Sequence, residues 1–328
     1  MTESLFDTLN PKEREHIHER TDALVKLLEA WVQRYPRARS ERIPPVALLM
    51  AAVMPRLSLP AALLASQITF WIFMLDDLAD ERQVTLDEFQ QKAEVWYQLA
   101  QDGSPDETND YDELGIILLE IRADLASYRL FEPLRSMWAT QVRLIIEAMA
   151  QEYQYGLQYH DQQAQRLPTL DEYLHYGAYS IGIPLWGAVE LIVANDDSVL
   201  DGLEPIAAAL QGAGTVVRLY NDYQTLDKEL QEGNINSAII LYHTLRAANT
   251  TAPEADLLAE ARQRAWQLAD SYAQRCGDLV ERFQTTSGQI RETILRVIAF
   301  HASFYRERDY HNTSLADVSD TLSAVKPE

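Results

Sequence analysis

Residues 70–81 read FWIFMLDDLADE, an apolar and aromatic run that ends in a cluster of acids. If this segment is a helix, Asp76 lies four residues and Asp77 three residues before Asp80, so the carboxylates share one face. Like charges at this spacing repel each other. Clustered carboxylate oxygens nevertheless suit magnesium, which proteins usually hold with one or two carboxylates and substrate phosphates. A solvated acidic helix end is the alternative interpretation, and this segment alone leaves both open.

A second predicted helix, over about 203–230, ends in a similar set of oxygen ligands. Asn221, Thr225 and Glu229 follow one another at intervals of four, so an amide, a hydroxyl and a carboxylate form one stripe. Lys228 lies beside this stripe and is a candidate contact for a phosphate. A polar helix end is again the alternative. Taken together, the two segments favour two metal-binding rims that face each other across an apolar cavity, which is a site for a diphosphate with an apolar chain.

The composition predicts an all-α fold. Hydrophobic residues make up 47% of the 328, and only 12 Gly and 13 Pro occur, while apolar residues recur with helical spacing nearly throughout. Caps and apolar stripes predict helices over about 11–35, 44–56, 59–81, 85–100, 113–128, 133–159, 169–182, 185–193, 203–230, 236–248, 253–283 and 289–308. No internal boundary is recognisable. We therefore predict a single domain over 1–328, with frayed ends at 1–10 and 311–328.

Charge and cysteine content narrow the expected partners and location. The chain has 28 basic and 50 acidic residues and a formal net charge of -22. Such a surface repels nucleic acid and anionic membranes, so neither is expected as a stable partner. We recognise no signal peptide and no uninterrupted apolar run long enough to span a membrane. The single cysteine, Cys276, excludes an intrachain disulfide and fits a reducing compartment, so we predict a cytoplasmic location.

The two acidic segments resemble the metal-binding motifs of class I terpene synthases. Residues 76–80, DDLAD, are similar to the aspartate-rich motif of that family, and residues 221–229, NDYQTLDKE, are similar to its second metal motif. The separation of the two motifs also resembles that of the bacterial members. The resemblance covers nearly the whole chain and implies a class I terpenoid synthase helical bundle with a central apolar cavity.

The resemblance implies roles for individual residues. The residues it makes essential for catalysis are Asp76, Asn221 and Glu229. The metal ligands it implies are Asp76, Asp77, Asp80, Asn221, Thr225 and Glu229. The candidate substrate contacts are Lys228, Arg308, Tyr310, Phe73 and Gly182. Because aromatic faces attract cations, the candidate cavity walls are Phe73, Trp186, Tyr220, Phe300 and Phe304.

The resemblance also implies a cofactor and a reaction. It implies three magnesium ions, departure of diphosphate from an allylic prenyl diphosphate, and carbocation cyclisation that ends in deprotonation or water capture, as in a carbon–oxygen lyase. It is compatible with a homodimer and with a partner class II cyclase that supplies an already cyclised diphosphate. A trans-prenyltransferase shares the fold but would carry a second aspartate-rich motif, which is not visible here.

Small residues near the predicted cavity bear on the length of the substrate. If they widen the cavity, they favour a twenty-carbon substrate, either geranylgeranyl diphosphate or a bicyclic diphosphate, over farnesyl diphosphate. The residues in question are Gly177, Ala178, Gly212, Ala213 and Gly214.

Two positions depart from the family pattern. Bacterial members usually carry a diphosphate-sensing arginine on the helix that breaks, but no arginine occurs between positions 166 and 218. His175 lies in that window as a candidate replacement, with a surface histidine as the alternative, while Gly182 matches the helix-break glycine. The family's late Arg-Tyr pair is not adjacent here, and Arg308 with Tyr310 is an approximate match. How ionisation is triggered therefore stays open.

Overall fold

The computed structural model describes residues 4–103, 111–160, 167–310 and 313–323. These residues are almost entirely helical, and no strand occurs among them, which confirms the predicted all-α class. The α-helices are α1 (Leu5–Thr8), α2 (Pro11–Val32), α3 (Ile43–Val53), α4 (Leu59–Asp80), α5 (Leu86–Asp102), α6 (Glu113–Leu125), α7 (Phe131–His160), α8 (Leu170–Ser180), α9 (Ile183–Val193), α10 (Leu203–Glu232), α11 (Ser237–Ala248), α12 (Glu254–Val280), α13 (Gln289–Glu307) and α14 (Leu315–Ser323).

Local sequence signals place most helix boundaries. Ser58 caps α4 through its side chain, and Thr85 and Thr169 each form a capping box at the start of α5 and α8. Gly182 has a φ of 84°, in the left-handed region that glycine adopts without strain, and it separates α8 from α9. The predicted break near Gly182 is therefore confirmed.

Short helices lie within both end segments, 1–10 and 311–328, for which the sequence predicts fraying. Helix α1 lies within the first of these segments, and α14 lies within the second. Helix α14 contacts α2 and α3, and its Val318 belongs to the apolar core. Because the C-terminal segment is mostly polar, its composition did not indicate that Val318 would join the core. Residues 1–3, 311–312 and 324–328 lie outside the described residues.

Helices α4 and α10 pass through the core and place their acidic turns near one another. Both are buried over much of their length and contact α8, α9 or α13, which surround the site. Close approach of α10 to α8 depends on Gly214, because a Cβ atom there would lie 2.2 Å from the carbonyl oxygen of Ala178. This packing fixes the distance between the helices that carry the site.

Two segments are long and apolar enough to cross a membrane by length and composition, Leu59–Asp80 and Leu170–Val193. The sequence prediction found no such segment because neither is an uninterrupted apolar run. Both are mostly buried inside the bundle, and the second is interrupted at Gly182. Burial of this extent is typical of core helices in a protein that folds in water.

A carboxyl group is fully buried between α9 and α13. Oε1 of Glu190 accepts hydrogen bonds from Thr293 Oγ1 at 2.6 Å and from Gln289 Nε2 at 3.3 Å. Oε2 has no hydrogen-bond partner among the residues that the structure describes. Burial raises the pKa of Glu190 to about 7, because the charged form loses its hydration there.

We expect the pH dependence of folding stability to reflect Glu190. The unfolded chain loses this proton near its ordinary pKa of 4.5, whereas the folded chain keeps it up to about 7. The folded state therefore binds more protons, and this contribution to stability is complete below the unfolded pKa and lost as pH rises through the folded pKa.

Glu190→Gln keeps the shape of the side chain and removes its ionisation. Relative to the wild type, its free energy of unfolding should therefore increase between about pH 5 and pH 8. Urea unfolding of both proteins across that range measures the difference, and identical pH profiles would contradict the assignment.

Candidate active site

A polar pocket lies where the last turns of α4 and α10 face each other. Its volume is about 1000 Å³ including the open mouth, and α7, α8 and α13 complete its walls. The structure therefore brings both acidic segments to one pocket. The sequence-predicted residues that line it are Phe73, Asp76, Asp80, Asn221, Thr225, Lys228, Glu229 and Tyr310.

An apolar pocket, with a volume of about 460 Å³ including its open mouth, adjoins the polar one. Gly182 and Trp186 line it, so the helix break belongs to the apolar compartment. Of the predicted aromatic walls, Tyr220 and Phe300 are buried in the core and do not line this pocket, and neither does Phe304. The residues shared by the two pockets are Ile72, Phe73, Ile181, Tyr305 and Tyr310.

The oxygen stripe on α10 is held in place by hydrogen bonds. Thr225 Oγ1 donates to Glu229 Oε1 at 2.6 Å, and the Tyr305 hydroxyl is hydrogen-bonded to the Asn221 side chain. The amide, hydroxyl and carboxylate therefore present their oxygens along one side of the polar pocket. Asp76 and Asp80 line the same pocket from α4.

The acid at the second position of each motif, Asp77 or Asp222, does not line the pocket. Asp77 accepts two hydrogen bonds from the Arg42 guanidinium, at 2.9 and 2.7 Å, and the Arg42 side chain is only 1% exposed. Asp222 is fully buried and accepts hydrogen bonds from the Tyr173 hydroxyl at 3.1 Å and the Ser237 backbone N–H at 2.9 Å. The structure thus does not bring Asp77 together with the other metal ligands that the resemblance implies.

The acids that line the pocket hold their protons more tightly than usual. Burial raises the pKa of Asp76 to about 6, and the nearby Asp77 adds to the effect. Burial and then Asp222 raise the pKa of Glu229 to about 8. The pKa of Asp80, whose side chain reaches solvent at the rim, is also raised by loss of hydration and by the neighbouring acids. The pocket therefore brings together carboxyl groups whose negative charges are not fully balanced by nearby cations.

This donor set fits magnesium. All the pocket-facing donors on α4 and α10 are hard oxygens, and a divalent cation would offset their mutual repulsion. Among the described residues, no three His, Cys, Asp or Glu side chains are grouped closely enough to hold a metal ion by themselves. Magnesium tolerates this arrangement because it commonly keeps water molecules and substrate phosphate oxygens among its ligands.

Arg218 is a pocket residue that the sequence analysis missed. It lies on α10 and is 8% exposed. Nη2 is 3.0 Å from both carboxylate oxygens of Glu152 and donates to Ser180 Oγ at 2.6 Å. A Cβ atom at Gly177 would lie 3.0 Å from Arg218 Cγ, so the glycine makes room for this side chain. Its spacing of three residues before Asn221 was the signal that placed it on the same helix face.

Neighbouring acidic side chains keep Arg218 protonated. Burial opposes ionisation, but Glu152, Tyr173 and Asp222 outweigh it and raise the pKa of Arg218. The guanidinium is therefore a permanent positive charge at the inner wall of an acidic pocket.

Arg82 supplies a second arginine to the polar pocket. Its backbone φ is 51°, in the left-handed region that non-glycine residues seldom adopt. Its Nη2 is buried and has no hydrogen-bond partner within the described part of the chain. Strained backbone and an unsatisfied donor commonly mark functional sites, and a phosphate oxygen is a suitable acceptor for this group.

Arg308 and His175 also lie outside both pockets. Arg308 Nη1 donates to the carbonyl oxygen of Asp317 at 3.0 Å and to Thr321 Oγ1 at 2.9 Å, so it joins the end of α13 to α14. His175 is exposed on α8, where its ring contacts Tyr176. Neither Arg308 nor His175 is among the lining residues of the polar or apolar pocket.

The small residues expected to widen the cavity serve helix packing. Gly177 accommodates Arg218, Gly214 lets α10 approach Ala178, and Gly212 faces α12. None of the five small residues lines either pocket. The reason for preferring a twenty-carbon substrate is therefore not supported by their positions.

Comparison with known proteins connects this site with a family. The family model described as terpene synthase family 2, C-terminal metal binding, matches residues 67–274, which include both acidic segments. No curated protein matches the chain.

Solved structures share the fold at low sequence identity. A protein from ancestral sequence reconstruction, SVS_A2, has a TM-score of 0.68 and 18% identity, with 89% of this chain and 86% of that chain covered. Abietadiene synthase from Abies grandis has a TM-score of 0.69 and 15% identity, and covers 95% of this chain but 40% of its own. The 2-methylisoborneol synthase from Streptomyces coelicolor, solved with Mg2+ and 2-fluorogeranyl diphosphate, has a TM-score of 0.65 and 13% identity, with 91% and 92% covered. The predicted terpenoid synthase helical fold is confirmed.

Proposed function

The chain belongs to terpene synthase family 2, and we propose that it is a class I terpene synthase, a lyase that ionises an allylic prenyl diphosphate. The carbocation then cyclises or rearranges in the apolar pocket. The observation that carries the proposal is the polar pocket with oxygen donors from α4 and α10 that opens beside an apolar one. This division suits a substrate with a charged head and a hydrocarbon chain.

The polar pocket has groups for both the metal and the diphosphate. Asp76 and Asp80 on one side and the α10 stripe on the other would hold magnesium, which supplies Lewis-acid stabilisation of the departing diphosphate. Arg218, Arg82 and Lys228 line the same pocket and would contact the phosphate oxygens. The cations offset the repulsion that a strongly acidic protein exerts on an anionic substrate.

Arg218 takes the place of the arginine that the sequence lacks on α8. It reaches across from α10 and donates to Ser180, the last residue of α8. Gly182 and the start of α9 follow directly. A diphosphate bound at Arg218 is thereby coupled to the helix break, which lines the apolar pocket.

The apolar pocket protects the cation. Exclusion of water by the bound substrate would protect reactive intermediates, and the face of Trp186 attracts positive charge. The ring of Phe73 already carries the Arg42 guanidinium at 4.8 Å. The fifteen-carbon farnesyl diphosphate and the twenty-carbon diphosphates are both candidate substrates, and the product assay distinguishes them.

The test is to incubate the purified protein with magnesium and, separately, farnesyl, geranylgeranyl and a bicyclic twenty-carbon diphosphate. Released inorganic diphosphate and volatile products are measured in the same samples. We expect a cyclic or rearranged hydrocarbon or alcohol from one substrate, and none when a chelator removes the metal. Consumption of added isopentenyl diphosphate without a cyclic product would identify a trans-prenyltransferase instead. No reaction with any substrate would contradict the proposal.

The proposed partner cyclase, homodimer and number of magnesium ions are each tested by a separate measurement. A product from the bicyclic diphosphate alone would require a partner class II cyclase that supplies it. The proposed homodimer is tested by the molar mass in solution, and the three magnesium ions by titration in the presence of inorganic diphosphate. The proposed location is the cytoplasm.

A further inference from the structure

A buried histidine and tyrosine on the wall of the apolar pocket have no role in the proposed ionisation. His301 on α13 is 2% exposed and Tyr310 is 5% exposed. His301 Nδ1 lies 2.8 Å from the Val297 carbonyl oxygen, and Nε2 lies 2.8 Å from the Tyr310 hydroxyl. Both side chains line the apolar pocket, and Tyr310 also lines the polar one.

The hydrogen bonds fix the direction of proton donation within this pair. The Val297 carbonyl oxygen only accepts, so His301 Nδ1 carries the proton. In the neutral ring Nε2 is then the acceptor, and the Tyr310 hydroxyl donates to it. Burial lowers the pKa of His301 to about 4, so the ring is neutral near pH 7. The lone pairs of the Tyr310 oxygen stay available to a second donor.

The surroundings of the pair are apolar and aromatic. Phe73 and Phe304 lie against Tyr310 with ring centroids 5.2 and 4.7 Å away, and Tyr305 stacks on His301 at 5.3 Å. No carboxyl group occurs among the described residues that line the apolar pocket. The imidazole of His301 is the basic side chain on that wall.

On the basis of the proposed function, we propose that Tyr310 and His301 together accept the proton that ends the reaction. The C–H bond next to the cationic carbon breaks, and its electron pair forms the new C=C bond. The proton passes to the Tyr310 oxygen while the phenolic proton passes to His301 Nε2. Tyr310 is again neutral, and the positive charge now lies on an imidazolium whose Nδ1–H remains bound to Val297.

The energetics favour this transfer. An alkyl carbocation is a far stronger acid than an imidazolium, so even a weakly basic buried imidazole accepts its proton. Tyr310 is the proposed catalytic residue, because it lines both the polar and the apolar pocket, and His301 acts through it. The imidazolium returns its proton to water when the product leaves. The competing acceptors are the released diphosphate, in the polar pocket, and water, which would instead add to the cation and give an alcohol.

The test compares the product ratio of Tyr310→Phe and His301→Gln with that of the wild type. Both variants should lower the main hydrocarbon at least tenfold relative to alcohols and to products of other proton losses. Because the two residues act as one unit, the double variant should show no larger shift. A matched control is the Tyr159–His243 pair, with 3.3 Å between hydroxyl and Nε2, which lines neither pocket. Tyr159→Phe and His243→Gln should leave the ratio unchanged.

A rescue experiment separates basicity from packing. In His301→Ala, added imidazole should restore the wild-type product ratio, whereas pyrrole, which has a similar size but no basic nitrogen, should not. Equal rescue by both compounds would show that the ring only fills space, and would overturn the proposal. If His301→Ala does not fold, Tyr310→Phe decides the question.

The outcomes distinguish this inference from the function on which it rests. Wild-type protein that releases no diphosphate from any tested substrate contradicts the proposed function itself. Wild-type protein that turns over while Tyr310→Phe and His301→Gln keep its product ratio contradicts only the role of the pair. The released diphosphate would then be the proton acceptor.

Discussion

Replacing Asp76 by Asn should sharply lower turnover in a folded protein, whereas replacing its neighbour Asp77 by Asn should weaken the fold. Asp76 lines the polar pocket among like charges. Asp76→Asn removes a metal ligand and relieves repulsion, so the free energy of unfolding should be unchanged or higher. Metal stabilisation of a leaving group contributes several kcal/mol, so the turnover number should fall on the order of a hundredfold to a thousandfold.

Asp77 has a different environment. Its two hydrogen bonds to Arg42 form a nearly buried ion pair, with side-chain exposures of 13% and 1%. Removing one partner of such a pair leaves an uncompensated charge and costs about 3–5 kcal/mol. The double variant Arg42→Met/Asp77→Leu should recover most of this loss, since apolar replacement of a buried pair is often neutral.

Urea unfolding and diphosphate release distinguish the two aspartates. A matched control is the exposed pair of Arg34 and Glu120, whose loss should cost only about 0.2–1 kcal/mol. If Asp77→Asn instead lost turnover with its unfolding free energy intact, Asp77 would be a metal ligand, as the family resemblance implies.

The contrast between these two aspartates shows which features of the site can be predicted from the sequence. Helical spacing is a local property, so the pair 76/80 and the triplet 221/225/229 could each be placed on a common face without any tertiary information. The direction in which Asp77 turns depends on Arg42, which reaches α4 from a short 3-10 helix, Ser40–Arg42, before α3. The residue pattern within 70–81 gives no information about Arg42, which lies outside this segment.

The positions of Arg218 and of the small residues also could not be predicted from the sequence, because they depend on contacts between helices. Sequence reasoning looked for a cation on α8, but the guanidinium arrives from α10 because Gly177 leaves the space. Gly214 was expected to widen a cavity, yet it closes a helix contact against Ala178. The sequence shows where a glycine leaves space for a neighbour. It does not show which group fills that space, because this depends on how the helices pack.

Removing Arg218 should lower both stability and turnover, and a second substitution should separate the two effects. Arg218→Met leaves the partly exposed Glu152 and the fully buried Asp222 without their cation, which should cost about 3–5 kcal/mol of unfolding free energy. It also removes charge-assisted hydrogen bonds to the diphosphate, worth about 1.5–3 kcal/mol each. Turnover should therefore fall roughly tenfold to a hundredfold for each bond lost.

In the double variant Arg218→Met/Glu152→Leu the Glu152 charge disappears together with its partner. We expect the free energy of unfolding to recover only in part, because an apolar pair replaces this ion pair but the fully buried Asp222, 3.7 Å from Arg218, still lacks its cation. Diphosphate release should stay low, since the acidic pocket still lacks its inner cation. Arg218→Lys is the matched variant that keeps the charge without the planar fork, and it should retain part of the activity. Recovery of both stability and turnover in the double variant would mean that Arg218 only neutralises Glu152, and the diphosphate would then be held by Arg82 and Lys228.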